Sequence, residues 1–339
     1  MNNVSFSLKG IFFFVPLLIS CLITFHCLGD ISSIEHKTQR EFPLTNFSKH
    51  SVNFLEIRND GTGKNSIPPI KKPKFSITGA IKNIGGNEPV ISVTILGESR
   101  AYPLRMLIWH EVVNDNIGGV PILITYSPLG ASIGVFHRQL DQKILSFGNT
   151  GRLRHFNTII FDRETESWWQ QFTGEAIIGD YLGRKLKKIP YRLEAFEVFR
   201  KKTLTFRSKV MVPINPDIRN YGTTPFIRMD TNLFDKSMFP YKFPLQINPV
   251  DRVIVIDGEA WPRQLLVKAG KFVKDKVLFS WWPGQNSVHD THWIPFGKDI
   301  GNISVIRNKN GKWVDAIYNE VFAFTFAAFE PEGKWHLPP

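Results

Sequence analysis

A histidine and two acidic residues lie within six positions of one another, in the segment His110 to Asp115, which has the sequence His-Glu-Val-Val-Asn-Asp. A histidine beside a carboxylate can act as a general acid or base, so His110, Glu111 and Asp115 are candidate catalytic residues. The segment is not the His-Glu-x-x-His zinc motif, because position 114 is Asn and no second histidine follows one helical turn later. The spacing therefore predicts acid-base chemistry or part of a metal site.

A metal site would need further ligands from elsewhere in the chain. His289 and His292 stand close together, and histidines on one face of a strand can bind one ion. The candidate ligands of a single divalent metal are therefore His110, Glu111, His289 and His292. Such a mixed histidine and carboxylate set suits iron, zinc or manganese. The alternative is that these histidines lie in turns or in the core without a ligand.

Ser127 gives a hydrolase hypothesis, with Ser127 as nucleophile, His110 as base, and Glu111 or Asp115 orienting the base. However, Ser127 is followed by Pro128, and nothing around it resembles a nucleophile elbow.

The elements that must position these residues are short strands. Apolar, β-branched runs bounded by Gly, Pro and Asn occur at 90–96, 120–126, 133–137 and 158–162. This pattern predicts a mainly β fold, borderline α+β, of antiparallel sheets with few short helices. Helices are predicted near Pro103–Ile108 and Leu193–Lys202.

The chain also contains an internal repeat. Gly97-Glu98, Ala101-Tyr102-Pro103 and Leu107 recur as Gly258-Glu259, Ala260-Trp261-Pro262 and Leu266. We therefore predict a first β-rich unit over 67–245, which holds the main motifs, and a second, shorter related unit over 246–339. The second copy lacks the His-Glu pair, which favours a chemical role for that pair over an architectural one. The alternative is a chance similarity between hairpins, because turns reuse Gly and Pro.

The N-terminal segment predicts export. An apolar run from Ile11 to Leu28 follows Lys9, as in a signal sequence, so residues 1–29 are predicted to be a signal sequence, a lipoprotein signal or a membrane anchor. In the lipoprotein alternative Cys21 is the lipidated residue. All three place the rest of the chain outside the cytoplasm, either membrane-anchored or in the periplasm or cell envelope, with the N-terminal segment at the membrane surface. Residues 30–66 are polar and are predicted to be a flexible tether.

The charge of the chain bears on its partners. The net charge is +12, and part of the excess lies between Arg184 and Lys209. For an exported protein, an anionic lipid or an envelope polymer is the expected partner of such a stretch. A solvated basic face without a partner is the alternative. No nucleic-acid partner is expected, because no ladder of aromatic residues accompanies the charges.

Several motifs carry a resemblance to a known family. The chain resembles the prokaryotic family labelled domain of unknown function 3179 in the segments 100–104, 110–119, 161–168 and 322–331 and in Gly174-Glu175-Ala176-Ile177. The resemblance implies no assigned activity. Its motifs supply the candidate ligand-binding residues: Arg100, Tyr102, Asn114, Tyr126, Ser127, Arg163, Trp168, Gln170 and Glu175. For Arg163 and Glu175 a structural role in turns and ion pairs is the first interpretation, and Trp168 fits either a core or a cleft.

One departure from the family bears on the choice between two functions. The resemblance implies Tyr-Cys-Pro-Leu-Cys-Gly, whereas this chain has Ser127 and Gly130 in place of the two cysteines. The loss of both thiols favours an exported, non-catalytic or degenerate protein that binds a ligand or partner. The presence of His110-Glu111 in only one repeat favours the alternative, a metal-assisted or acid-base enzyme centred on His110, Glu111 and Asp115.

Overall fold

The computed structural model describes residues 37–203, 208–213, 219–231 and 236–337. Strands contain 41% of the residues and helices 16%, so the predicted mainly β fold class is confirmed. The sheets are small, mostly antiparallel and arranged in a propeller-like manner. The predicted signal segment 1–29, with Cys21, lies outside the described residues. Within the described part of the chain, no helix is long and apolar enough to cross a membrane.

The chain divides into two compact units, Met1–Pro43 and Leu44–Pro339. In the first, residues 37–41 are helical. In the second, the strands that precede residue 245 are β1 (Ile57–Asn59), β2 (Lys74–Ile77), β3 (Pro89–Ile95), β4 (Glu98–Pro103), β5 (Val112–Ile117), β6 (Val120–Ser127), β7 (Ser132–His137), β8 (Gln139–Leu140), β9 (Lys143–Ile144), β10 (Phe147–Arg154), β11 (Asn157–Asp162), β12 (Trp168–Gln170), β13 (Glu175–Ile178), β14 (Arg192–Ala195) and β15 (Ser208–Val212).

The remaining elements complete the second unit. Its later strands are β16 (Arg252–Ile256), β17 (Glu259–Pro262), β18 (Lys271–Lys274), β19 (Val277–Trp282), β20 (Asn302–Lys309), β21 (Lys312–Asp315), β22 (Asn319–Phe322) and β23 (Lys334–Trp335). Its α-helices are α1 (Leu104–His110), α2 (Phe196–Lys202), α3 (Arg263–Ala269) and α4 (Ala323–Phe329).

Each sheet among the described residues draws its strands from one side of position 245. The sheets before it have the orders β1-β10-β11-β12-β13, β14-β3-β4-β15-β2, β5-β6-β7 and β8-β9. Those after it have the orders β22-β16-β17-β23 and β18-β19-β20-β21. The two sides pack together where β22 contacts β7 and β20 contacts β14.

Two of these sheets share one connectivity. In both, a hairpin (β3–β4 or β16–β17) leads into a seven-residue helix, α1 or α3. In both, an outer antiparallel strand is followed by a seven-residue helix and then by a strand that pairs in parallel with the hairpin. In the first sheet these are β14, α2 and β15, which pairs with β4; in the second they are β22, α4 and β23, which pairs with β17. The strand orders β14-β3-β4-β15 and β22-β16-β17-β23 therefore correspond position by position.

The predicted tether is wrong for residues 44–66. Ile57–Asn59 form β1 and pair antiparallel with Arg152–Arg154 at the edge of a five-stranded sheet. The Leu44 backbone N–H donates to Glu166 Oε2 at 3.0 Å, and the Thr45 hydroxyl donates to the Glu166 carbonyl oxygen at 2.7 Å. The segment is polar because it covers a sheet edge through backbone hydrogen bonds, which need no apolar periodicity.

Candidate functional site

Helix α1 sets the direction of the His-Glu pair. The helix ends at His110, and Glu111 adopts a left-handed backbone conformation (φ 55°) while its N–H donates to the Leu107 carbonyl oxygen at 2.7 Å. A left-handed residue after the last turn is a common helix terminator, although glycine usually fills it. Strand β5 begins at the next residue. The turn separates the two side chains, so His110 and Glu111 have different partners.

His110 is held at both ring nitrogens. Its Nδ1 lies 2.7 Å from the Pro68 carbonyl oxygen, and its Nε2 lies 2.7 Å from the Tyr221 hydroxyl. A carbonyl oxygen only accepts, so Nδ1–H donates to Pro68 and Nε2 accepts from Tyr221. Burial lowers the pKa of His110, and the nearby Arg219 charge lowers it further, against the Pro68 hydrogen bond. The imidazole is therefore neutral and structurally engaged near neutral pH.

Glu111 is the centre of a buried polar group, the Glu111 network, made of Glu111, Asn149, Thr158 and Ser127. The Asn149 amide donates to Glu111 Oε2 at 2.6 Å. The Thr158 hydroxyl lies 3.1 Å from both Glu111 Oε2 and Ser127 Oγ, so it donates to one and accepts from the other. All four residues are buried.

The Glu111 carboxyl is neutral at neutral pH. Burial, together with the charge of Asp60, raises the pKa of Glu111 to about 8, although hydrogen bonds from Thr158 and Asn149 oppose the shift. A carboxyl with a pKa near neutrality can exchange a proton at physiological pH, which is the property a general acid or base needs.

Asp115 lies in a separate hydrogen-bonded set. Its Oδ2 accepts from Arg100 Nη1 at 2.6 Å and from the Tyr102 hydroxyl at 2.6 Å. Arg100 also pairs with Glu98 at 2.8 Å and lies over the Phe75 ring. Burial raises the pKa of Tyr102 well above its ordinary value, and the Asp115 charge adds to this. Arg100, Tyr102 and Asp115 thus form a structural ion-pair set that ties β4 to β5.

The three predicted catalytic residues therefore do not form one centre. His110 binds Pro68 and Tyr221, Glu111 binds Asn149 and Thr158, and Asp115 binds Arg100 and Tyr102. Ser127 is fully buried beside Thr158, with no hydrogen bond to His110 among the described contacts. A Ser-His-carboxylate triad needs a hydrogen bond from the serine to the histidine and another from the histidine to the carboxylate, so the hydrolase geometry is not formed.

The metal candidates are also dispersed. The described residues contain no group of three or more His, Cys, Asp or Glu side chains placed to hold a metal ion. His292 is exposed at the surface, whereas His289 is fully buried. Both ring nitrogens of His110 and the Oε2 atom of Glu111 are engaged in hydrogen bonds, so the four residues proposed from the sequence are not placed around one metal ion.

His289 belongs to a second buried group, the His289 cluster, made of His289, Arg252, Asp230 and Ser287. His289 Nε2 lies 2.8 Å from the Pro128 carbonyl oxygen, and Nδ1 lies 2.9 Å from Arg252 Nη2. Burial lowers the pKa of His289 to about 3, with the Arg252 charge adding to the shift. His289 is therefore a neutral bridge between the Tyr126–Gly130 turn and the part of the chain after residue 245.

The same turn positions Tyr126 and Gly130. The Tyr126 hydroxyl lies 3.3 Å from His289 Nε2. A Cβ atom at Gly130 would lie 2.9 Å from Thr325 Oγ1, and the Gly130 carbonyl oxygen accepts from that hydroxyl at 3.1 Å. The space beside Gly130 is therefore filled by Thr325 of α4.

The remaining candidates lie in strands and turns. Asn114 exchanges two hydrogen bonds with the Phe147 backbone, which joins β5 to β10. Gln170 donates to Asn157 Oδ1 at 2.7 Å, and its own Oε1 is buried without a hydrogen-bond partner in the described residues. Three others have contacts of a structural kind: Arg163 donates to Asn65, Trp168 packs edge-on against Phe47, and Glu175 pairs with Lys185.

Asn149, Thr158 and Arg252 are not among the site residues that the sequence predicts. Asn149 and Thr158 are polar residues inside strands β10 and β11, and the register between these strands shifts after Asn149. A polar residue in an otherwise apolar strand was the available signal, but alternation alone does not reveal which partner it meets.

Comparison with known proteins places the chain in a family. Residues 64–333 match the family described as protein of unknown function (DUF3179). Neither a curated protein nor a solved structure matches the chain. The matched region runs from before β2 to just before β23 and includes both the Glu111 network and the His289 cluster. The chain belongs to the DUF3179 family of proteins of unknown function.

Proposed function

We propose that this chain is an exported, membrane-associated cell-envelope protein that binds a ligand or partner without catalysing a reaction. The observation that carries the non-catalytic part is the separation of His110, Glu111 and Asp115 into three sets of internal partners. Groups committed to buried hydrogen bonds stabilise a fold, and freeing them for a substrate leaves unpaired polar atoms. Ser127 and Gly130, in place of the thiols that the family resemblance implies, also support this proposal.

Export is supported by the apolar run from Ile11 to Leu28 after Lys9. The test is fractionation of bacterial cells that produce the full chain with a C-terminal tag or a variant lacking residues 1–29. We expect the full chain in the membrane or periplasmic fraction and the shortened variant in the cytosol. A full chain found in the cytosol would overturn the location.

The similar connectivity of the sheets β14-β3-β4-β15 and β22-β16-β17-β23 supports a duplicated origin for the two halves. The first half contains the Glu111 network, whereas the second has Val267-Lys268-Ala269-Gly270 in the matching stretch. We infer that the two units are related repeats that have diverged around this network.

A second candidate is an acid-base enzyme centred on Glu111, favoured by its pKa of about 8. Rescue of cells that lack the chain separates the two functions. A binding role predicts that Glu111→Gln rescues as well as the wild type, because Glu111 is only 7% exposed. Loss of rescue, with a protein level and a thermal stability no lower than those of the wild type, would favour the enzyme.

A further inference from the structure

The basic stretch from Arg184 to Lys209 is largely neutralised in the fold. Most of its side chains pair with carboxylates: Arg184 with Asp141, Lys185 with Glu175, Arg192 with Asp315, Arg200 and Lys201 with Glu197, Lys202 with Glu194, and Lys209 with Glu98. Lys188 is instead packed against the Phe172 ring. A surface whose charges are already paired attracts an anionic partner weakly. The attraction of such a partner must come from another surface.

The sheet β18-β19-β20-β21 exposes a continuous row of apolar side chains. Val273 lies opposite Leu278, and Leu278 lies opposite Ile306. Trp313 lies opposite Asn308, two residues beyond Ile306 on the same face of the sheet. Val273 is 60% and Trp313 45% exposed, whereas Leu278 and Ile306 are half-buried. We call these four residues the apolar strip.

The other parts of this sheet are covered. Its opposite face carries Phe272, Phe279 and Val305 into a hydrophobic core. On the strip's own face, strand β14 covers the far end, where the Ala195 N–H donates to Asn302 at 2.7 Å. The cover extends to Asp315, which lies directly opposite Ile306 and accepts from Arg192 at 2.8 Å. The strip is thus the part of this face that strand β14 leaves uncovered.

Lysines lie around the strip. Strands β18 and β20 run in the same direction, so their turns at Asp275-Lys276 and Asn310-Gly311 lie at the same end of the sheet. Lys276 lies in the first turn, and Lys309 and Lys312 form the last pair before the second turn, one residue beyond Asn308 and Trp313 and on the opposite face. Lys271 lies on the strip's face, two residues before Val273, at the other end of β18. We call these four exposed residues the lysine rim, and within the described part of the chain none of them makes an ion pair with a carboxylate. The rim therefore differs in kind from the stretch at Arg184–Lys209.

We propose that the apolar strip and the lysine rim dock on the surface of an anionic lipid bilayer. Tryptophan and short apolar side chains enter the boundary between headgroups and acyl chains, while lysines extend their ammonium groups to the lipid phosphates. Charge complementarity selects this occupant, because lysines without an ion-pair partner beside exposed apolar side chains attract an anionic surface. The inference rests on the proposed membrane association and assigns a surface to it.

Hydrogen–deuterium exchange of the full chain tests the docking. The chain is mixed with vesicles of phosphatidylcholine alone or of phosphatidylcholine with phosphatidylglycerol. We expect several-fold slower exchange in peptides from 271–282 and 302–315 with the anionic vesicles only, and less slowing at high salt. Since the apolar N-terminal run can bind either vesicle, protection of these peptides, and not vesicle binding, is the readout.

Matched charge reversals control this experiment. Lys271→Glu, Lys276→Glu, Lys309→Glu and Lys312→Glu together should abolish the protection. The same four changes at exposed lysines elsewhere, Lys71, Lys72, Lys82 and Lys143, alter the net charge equally and should leave it intact. Equal loss in both variants would overturn the proposal, because only net charge would then matter.

Other occupants give different results, and each overturns lipid docking. A second copy of the chain protects the same peptides without vesicles as protein concentration rises. A soluble anionic polymer such as heparin protects them as well as the anionic vesicles do. Failure of the proposed location gives a separate result. If the chain binds vesicles but the apolar strip is not protected, the docking proposal alone is rejected. If the strip is protected in vitro but the chain is found in the cytosol of cells, the proposed location alone is rejected.

Discussion

At the scale of single residues, Glu111 joins a backbone requirement to a chemical one. Its left-handed conformation terminates α1 and directs the carboxyl into the protein, where Asn149 and Thr158 bind it. Non-glycine residues in this conformation store backbone strain, and such strain is often found at functional positions. Here the left-handed conformation of Glu111 places its neutral carboxyl within a buried polar network.

Replacement of Glu111 by Gln tests that neutrality. The folded pKa of about 8 exceeds the ordinary value of 4.5, so the folded wild type holds a proton that the unfolded chain loses between these values. Wild-type stability therefore falls as pH rises from about 5 to 8 through this group. Gln does not titrate, so the variant should gain stability relative to wild type over this range, on the order of a few kcal/mol. Urea unfolding at several pH values measures this difference.

The control for that series is Glu175→Gln. Glu175 is half-buried and pairs with Lys185 at the surface, so this variant should change the free energy of unfolding by less than about 1 kcal/mol. If the free energy of unfolding of Glu111→Gln runs parallel to that of the wild type between pH 5 and 8, the Glu111 carboxyl is charged in the folded protein.

At the scale of elements, the sheet β18-β19-β20-β21 depends on close contact at one glycine. A Cβ atom at Gly301 (φ 76°) would lie 2.2 Å from Trp281 Nε1, whereas one at Gly311 (φ 81°) would meet no atom within 4 Å. Gly311→Ala should therefore cost only backbone strain, about 1–2 kcal/mol. Gly301→Ala should add an overpacking cost of about 1–3 kcal/mol.

Chemical denaturation of the two alanine variants provides the comparison. Both positions have similar φ values, so the difference between the variants isolates the contact with Trp281. Equal destabilisation of the two variants would contradict the packing of Trp281 against Gly301.

The sequence predicted strands well and their partners poorly. The expected strand at 90–96 is observed as Pro89–Ile95, because alternation and turn residues are local signals. The helix expected over Leu193–Lys202 begins only at Phe196, since Arg192–Ala195 pair with β3. His110, Glu111 and Asp115 are close in sequence, but the left-handed turn and the partners on β4, β10 and β11 separate them. Those partners come from distant segments that no local pattern specifies.

At the scale of the whole molecule, the segment before Ile67 is part of the second unit. A chain that starts at Leu44 keeps β1 and the contacts of Leu44 and Thr45 with Glu166, whereas a chain that starts at Ile67 loses them. Each lost buried hydrogen bond costs on the order of 1 kcal/mol, so the shorter chain should be less stable by at least about 2 kcal/mol. Thermal unfolding of the two chains measures this difference. Equal melting temperatures would support the prediction that residues 44–66 are a flexible tether.

The two halves of the second unit meet at the Tyr126–Gly130 turn through His289. We infer that the polar residues there and around Glu111 stabilise the fold and bind no metal. The metal content of the full chain and of His110→Ala, both purified without chelators, is measured by mass spectrometry. We expect far less than one metal ion per chain in both proteins. One metal ion per wild-type chain, lost in His110→Ala, would contradict it.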